Sequence, residues 1–180
     1  IMADNVSMLR KNLADKYYLR NKINFKKSKK NSEQLLNCLK TTGIKPKSIL
    51  EIGCLNGHKL NNIKNFYKNK KLKLFGLDLS KKAITDAKKK FKGIKFYNNS
   101  SLDLDILNLK VDLIICDFLY LLDRRYIFQQ FDMIYKSLSS GGFLVICDFD
   151  PSFTHFNLDK RDKKLKSYKM SYYQILCGSN

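Results

Sequence analysis

The sequence predicts an α/β fold: a doubly wound, mainly parallel sheet with helices on both faces. Three observations carry this. Short, mainly apolar runs recur at 48–52, 72–77, 94–97, 111–116 and 143–147, as expected of strands buried on both faces. The segments between them repeat apolar residues every three to four positions, as amphipathic helices do. Hydrophobic residues make up 44% of the 180 and aromatics 12%, enough for the core of one domain, which excludes a disordered chain. Strands alternating with helices imply βαβ units with right-handed crossovers. They also place a ligand at the carboxyl ends of the strands, where strand order reverses.

Each element has a local reason. Asn31 to Thr42 reads as a helix with Leu35, Leu36 and Leu39 on one side; Gly43 ends it and Pro46 bars a restart. Ser48 to Ile52 is a short buried strand. Gly57 to Asn69 is a helix through Leu60, Ile63 and Tyr67. Leu72 to Leu77 is a strand, and Ser80 caps a helix from Lys81 to Phe91. Ala83, Ile84, Ala87 and Phe91 face inward there, so the lysines fall outside. Ile94 to Tyr97 and Val111 to Cys116 are strands. Asp123 to Leu138 is a helix with Ile127, Phe131, Ile134, Tyr135 and Leu138 inward. Gly141-Gly142 then turns the chain into a last strand, Phe143 to Cys147. The expected organisation is a helical cap segment over 1–30, a ligand-binding α/β domain over 31–150, and a polar, aromatic segment over 151–180 that periodicity does not place.

Lys+Arg number 35 against 16 Asp+Glu, a formal net charge of +19. Such a charge raises nucleic acid or an anionic surface as partner. Only Arg10, Arg20, Arg124, Arg125 and Arg161 are arginines, however, whereas nucleic-acid interfaces lean on arginine forks. Lysine, asparagine and isoleucine rise together, as they do in A/T-rich genomes, so compositional bias is the favoured reading. The basic stretches 22–30, 81–92 and 160–169 read as solvated faces. Five cysteines (38, 54, 116, 147 and 177) form no CxxC pair, so neither a metal centre nor a disulfide framework is expected. No apolar run approaches a membrane span and no secretory h-region is visible, so a cytoplasmic protein is expected.

The segment Glu51-Ile52-Gly53-Cys54-Leu55-Asn56-Gly57 runs from a strand through a glycine turn into a helix, which brings backbone N–H groups to a ligand. Asp78 ends the next strand, where a nucleotide ribose is usually gripped. NAD would need glycines at 53, 55 and 58, and two of the three are missing; Glu51 would also repel its pyrophosphate. S-adenosylmethionine has no phosphate. It carries an ammonium, a sulfonium and a carboxylate, and Glu51 suits its cationic end.

In these residues the chain resembles the class I S-adenosylmethionine-dependent methyltransferases, and more narrowly the small "type 11-like" bacterial group. Glu51, Gly53 and Gly57 match the E/D-x-G-x-G-x-G motif, with Leu55 in place of the middle glycine. Val111 to Asp117 is similar to the family's fourth motif, and Leu138 to Leu144 to its turn before strand five. Tyr17-Tyr18-Leu19-Arg20-Asn21, Asp148-Phe149-Asp150-Pro151 and Ser167-Tyr168-Lys169-Met170 are reminiscent of the narrower group, some of whose members are associated with surface-sugar biosynthesis. The resemblance implies a Rossmann-like fold and S-adenosylmethionine as cofactor. It implies cofactor contacts at Glu51, Gly53, Cys54 and Gly57 in the glycine loop and at Asp78, Leu79 and Ser80 after the second strand. Ser101 and Leu102 would lie at adenine, Asp117 after the fourth strand, and Arg20 at the cofactor carboxylate.

The expected activity is methyl transfer to a small-molecule acceptor, a sugar or sugar conjugate. The alternatives are methylation of RNA ribose or ring carbon, and a non-catalytic cofactor-binding subunit. Asp117, Asp150 and His155 are the candidates for acid–base work. Tyr120 is a further candidate pocket residue. The position after strand four reads Asp117-Phe118-Leu119-Tyr120 and lacks the prolines of amino-base methyltransferases. Thirty residues after Asp150 are few for the helix and hairpin that complete a class I sheet, so a shortened sheet with an exposed apolar edge, or a homodimer, is expected.

Overall fold

A computed structural model describes residues 5–22, 28–160, 163 and 165–177. Residues 23–27, 161–162 and 164 of the basic stretches lie outside the described residues. Five strands form one parallel sheet: β1 (Ser48–Ile52), β2 (Lys73–Asp78), β3 (Lys95–Asn98), β4 (Val111–Cys116) and β5 (Leu138–Ile146). Their spatial order is β3-β2-β1-β4-β5, so the order reverses between β1 and β4. Leu50 of β1 sits opposite Phe75 of β2 on one side and Ile114 of β4 on the other. Every residue of β1 is buried, as is all of β4 except Asp112. This explains why the two strands read as mainly apolar runs, broken only by Ser48 and Glu51 in β1 and Asp112 in β4.

Helices α3 (Ser28–Thr42), α4 (His58–Tyr67) and α5 (Lys81–Lys90) pack against one face, where Leu35, Leu39, Leu60, Ile63, Ile84 and Ala87 meet Ile49, Leu74, Leu113 and Ile115. Ser80 caps α5 as expected, its Oγ accepting from the Ala83 N–H at 3.0 Å. Lys81, Lys82 and Lys88–Lys90 are exposed, on the outer face of α5. The other face carries α6 (Ile127–Ser137) and a 3-10 segment, Ser101–Leu107. There Phe131, Ile134, Leu102 and Leu104 meet Leu50, Ile52, Ile114 and Cys116.

The C-terminal third departs from the sequence reading in two ways. Tyr135 is 79% exposed, not inward, because the buried stripe of α6 runs through Ile127, Gln130, Phe131, Ile134 and Ser137. Gly141-Gly142 does not precede β5 but lies within it: Val111 pairs with Leu138 and Leu113 with Phe143, so the residues between bulge out, with Gly141 at φ +71°. β5 is one of the two sheet edges and, as expected, an exposed apolar one: none of its residues is fully buried and Phe143 is 49% exposed. The following residues form a separate antiparallel hairpin, β6 (His155–Leu158) and β7 (Lys166–Lys169), then α7 (Tyr172–Cys177).

The N-terminal segment comprises α1 (Asn5–Met8), a π-helical turn (Leu9–Leu13) and α2 (Ala14–Asn21). Side chains tie it across the carboxyl end of the sheet. Tyr18 donates to Asp86 Oδ2 at 2.6 Å, Asp15 accepts from Ser80 Oγ at 2.6 Å, and Arg10 pairs with Asp103 at 2.7 Å. Asp123 holds both ends of the chain, accepting from the Asn5 N–H at 2.7 Å and from Tyr168 Oη at 2.6 Å. Among the described residues no helix is long and apolar enough to cross a membrane.

Candidate functional site

A cavity of about 460 Å³ opens where the strand order reverses, at the carboxyl ends of β1, β2 and β4. This is the position the topology dictates. Its floor is the loop after β1. Gly53 (φ +81°) donates its N–H to the Leu77 carbonyl at 2.8 Å, and a Cβ there would lie 3.0 Å from Phe118 Cβ and 3.2 Å from the Asp117 carbonyl. Gly57 (φ +77°) starts α4, and a Cβ there would meet the Phe96 ring at 2.5 Å. Both glycines are thus required by packing beneath the loop as well as by backbone sign. Leu55, in place of the middle glycine, adopts φ +47°, the left-handed conformation that glycine takes without strain. Its N–H donates to Asp78 Oδ2 at 2.8 Å, which holds the turn.

Three carboxylates converge on the cavity. Glu51, at the end of β1, is 1% exposed, and burial pushes its carboxyl from the ordinary 4.5 to about 7, Lys59 opposing and Asp117 adding to the rise. Its Oε2 is buried without a partner. Asp78 accepts from the Leu55 and Ser80 N–H groups, each at 2.8 Å, yet burial raises it to about 6. Each of its oxygens keeps a free lone pair for a ligand hydroxyl. Asp117, after β4, is half-buried and bonded to the Lys59 ammonium. Lys59 Nζ also lies 3.4 Å from Glu51 Oε1.

The predicted residues divide clearly. Glu51, Gly53, Cys54, Asp78, Leu79, Ser101, Leu102, Asp117 and Tyr120 line the cavity. Gly57 lies beneath it, against Phe96, and Ser80 is occupied as the α5 cap. Arg20 does not line it; its guanidinium pairs with Asp159 at 3.1 Å and lies over the Tyr17 ring. Asp150 is exposed and accepts from Ser171 Oγ at 2.6 Å. His155 opens β6, where its Nδ1–H donates to the Phe153 carbonyl at 3.1 Å. Neither lines the cavity: Asp150 lies in the segment between β5 and β6, and His155 on a hairpin that forms its own two-stranded sheet rather than extending the main one.

The sequence reading missed Lys59. It is one of many lysines, and the signal that marks it is its place two residues beyond the glycine turn, where a helix start points at the ligand. Opposite the loop stand Tyr17 and Tyr120, whose hydroxyls are 2.9 Å apart. Burial raises both phenols, so they are neutral at ordinary pH and present hydrogen-bonding groups, not bases.

The geometry agrees with what comparison finds. The family described as "Methyltransferase domain" matches residues 45–179. In fold the chain is similar to the plantazolicin methyltransferase BpumL in complex with SAH (TM-score 0.62, 21% identity, 79% of this chain and 57% of that one). It is similar to the sugar N-methyltransferase KedS8 from Streptoalloteichus sp ATCC 53650 (TM-score 0.56, 18% identity, 72% and 54%). A third similar structure is the SAH-bound methyltransferase PaMTH1 of Podospora anserina (TM-score 0.52, 20% identity, 64% and 51%). The chain spans little more than half the length of each. Among curated proteins none matches the sequence. A parallel sheet in this order, a glycine turn after β1 between two acids, and a family match over well over half of the sequence lead to one statement: the chain belongs to the methyltransferase domain family, with a class I fold.

Proposed function

We propose that the chain binds S-adenosylmethionine in this cavity and transfers its methyl group to a small-molecule acceptor of the sugar or sugar-conjugate class. The observation that carries the cofactor is the convergence of Glu51, Asp78 and Asp117, with one Glu51 oxygen buried and unpartnered. An orphaned acceptor calls for a donor, and the ammonium of S-adenosylmethionine supplies one. The same acids exclude a dinucleotide pyrophosphate by like-charge repulsion. Asp78 would hold the ribose hydroxyls, Leu79 and Leu102 would sandwich adenine, and Glu51 would take the ammonium.

Bound there, S-adenosylmethionine supplies an electrophilic methyl group, so the protein's task is alignment and exclusion of water. The N-terminal helices contribute Val6, Leu9, Ala14 and Tyr17 to the cavity wall and shield it from solvent. Tyr17 and Tyr120 would orient the acceptor atom. With Glu51 on the ammonium, Asp78 on the ribose and Asp117 engaged by Lys59, no carboxylate in the cavity would be left as a free base. That suits an acceptor which attacks as a neutral amine and gives up its proton to solvent. The sugar N-methyltransferase among the structural neighbours points the same way.

The test is calorimetric titration with S-adenosylmethionine and S-adenosylhomocysteine, with NAD as control. Micromolar binding of the first two, lost at least a hundredfold in Asp78→Ala, is expected when two ribose hydrogen bonds to a charged group are removed. Binding of NAD alone, or of none of the three, would overturn the proposal.

A further inference from the structure

We infer that Lys59 is the anchor for the carboxylate at the methionine end of the cofactor, positioned for it by Glu51 and Asp117. The inference rests on the S-adenosylmethionine reading and concerns a contact that reading leaves open. The ligand carries two cations and one anion. The cavity's three acids answer the cations and would repel the anion unless a cation stood among them. Arg20, from which the sequence expects this contact, is held by Asp159 outside the cavity lining.

Four features converge on Lys59. It lines the cavity with its side chain only 14% exposed, so a charge interaction there is weakly screened. An ammonium has three N–H donors; Glu51 Oε1 and Asp117 account for two, which leaves one for a ligand. Lys59 is the second residue of α4, whose N-cap is Gly57 with no side-chain cap. The first-turn N–H groups therefore lack intrahelical acceptors, and the positive end of the helix adds to the ammonium at one place. Finally, the ammonium and carboxylate of the ligand share one carbon, so their receptors must be neighbours. The Glu51 carboxyl, whose Oε2 is unpartnered, and Lys59 Nζ are neighbours, with Nζ 3.4 Å from Oε1. His58 is the other basic residue lining the cavity among the described residues. Burial and Lys90 lower its pKa, so it is neutral at ordinary pH and cannot take the role.

The experiment compares S-adenosylmethionine with its decarboxylated analogue, which lacks only the carboxylate, by calorimetry on wild type, Lys59→Met and Lys59→Arg. Wild type is expected to bind the analogue about tenfold to a hundredfold more weakly, the range for one charge-assisted hydrogen bond. Lys59→Met is expected to bind both ligands alike, at the analogue's level or tighter for the analogue, and Lys59→Arg to keep the discrimination. Equal binding of the two ligands by wild type overturns the inference without any variant, even if Lys59→Met fails to fold. Discrimination that persists in Lys59→Met overturns it also and assigns the carboxylate to backbone groups. Failure of wild type to bind S-adenosylmethionine, with a cooperative melt showing it folded, defeats the cofactor proposal itself and the inference with it.

Discussion

Gly57→Ala is expected to destabilise the protein by a sum of two separable effects. The first is conformational. Gly57 sits at φ +77°, and an L-residue in the left-handed region costs about 1–2 kcal/mol. The second is steric. The added methyl would lie 2.5 Å from Phe96 Cζ and 2.7 Å from Cε1, well inside any normal contact. Phe96 is 4% exposed and packs among Leu60, Ile63 and Ile94, so it has no open space to enter, and such overpacking costs about 1–3 kcal/mol. The total, about 2–5 kcal/mol, is a large part of the stability of an ordinary domain. The control is Gly43→Ala. Gly43 has a similar φ of +67°, but nothing lies within 4 Å of the methyl, so only the conformational cost applies. Urea unfolding of both variants checks the difference, with a melting temperature lower by about 5–15 °C expected for Gly57→Ala. Losses equal to within about 0.5 kcal/mol would refute the steric argument and show that Phe96 moves freely.

The remaining predictions concern pH and the chain termini. Burial raises the Glu51 carboxyl to about 7, so the folded chain holds that proton more tightly than the unfolded chain does. Its contribution to stability is full below about pH 4.5 and is lost as pH rises through 7, so urea titrations should show it falling across that window, and less so in Glu51→Gln. Asp78 and Asp148, each raised to about 6 by burial, act in the same direction. If the ligand ammonium pairs with ionised Glu51 as proposed, S-adenosylmethionine binding at pH 6.5 should release about three-quarters of a proton from that group, read by calorimetry in buffers of different ionisation heat; no release would sink the Glu51 assignment. Asp123→Ala removes the acceptor shared by Asn5 and Tyr168 and is expected to cost about 1–3 kcal/mol. It should speed proteolysis at both termini, and an unchanged digestion pattern would count against this tie.

The central strands were legible because burial on both faces favours apolar residues at most positions, as Ile49, Leu113 and Ile114 show. Asp78 and Asp117 were legible because an acid directly after such a run stands at the carboxyl end of the sheet. The hairpin β6–β7 was not. His155-Phe156-Asn157-Leu158 does alternate, but over four residues only, and Phe156 and Leu158 are nearly half exposed and pair outside the main sheet, so the pattern is too short to mark a strand. Tyr135 misled because helical spacing does not say which of two adjacent apolar stripes meets the sheet; Gln130, fully buried and donating to the Ser101 carbonyl, shows which one does.

Leu55 and Lys59 show what a motif leaves out. Read as a pattern, Leu55 is a lost glycine. In the fold it keeps the glycine's backbone sign, and the Asp78 carboxylate, proposed above to hold the ribose, accepts from its N–H. The acid proposed to bind the ligand therefore also fixes the loop, so Asp78→Ala would remove a contact and loosen the turn together. Glu51 shows the converse. As a lone residue it reads as a bare carboxylate waiting for a cation. The fold places Lys59 beside it, and the two charges leave the cavity neither simply acidic nor neutral. An acid with one oxygen paired and the other unpartnered, next to an ammonium with a donor to spare, matches a ligand terminus carrying opposite charges on one carbon. The specificity argued for S-adenosylmethionine thus lies less in the acid of the motif than in the neighbour the helix start supplies.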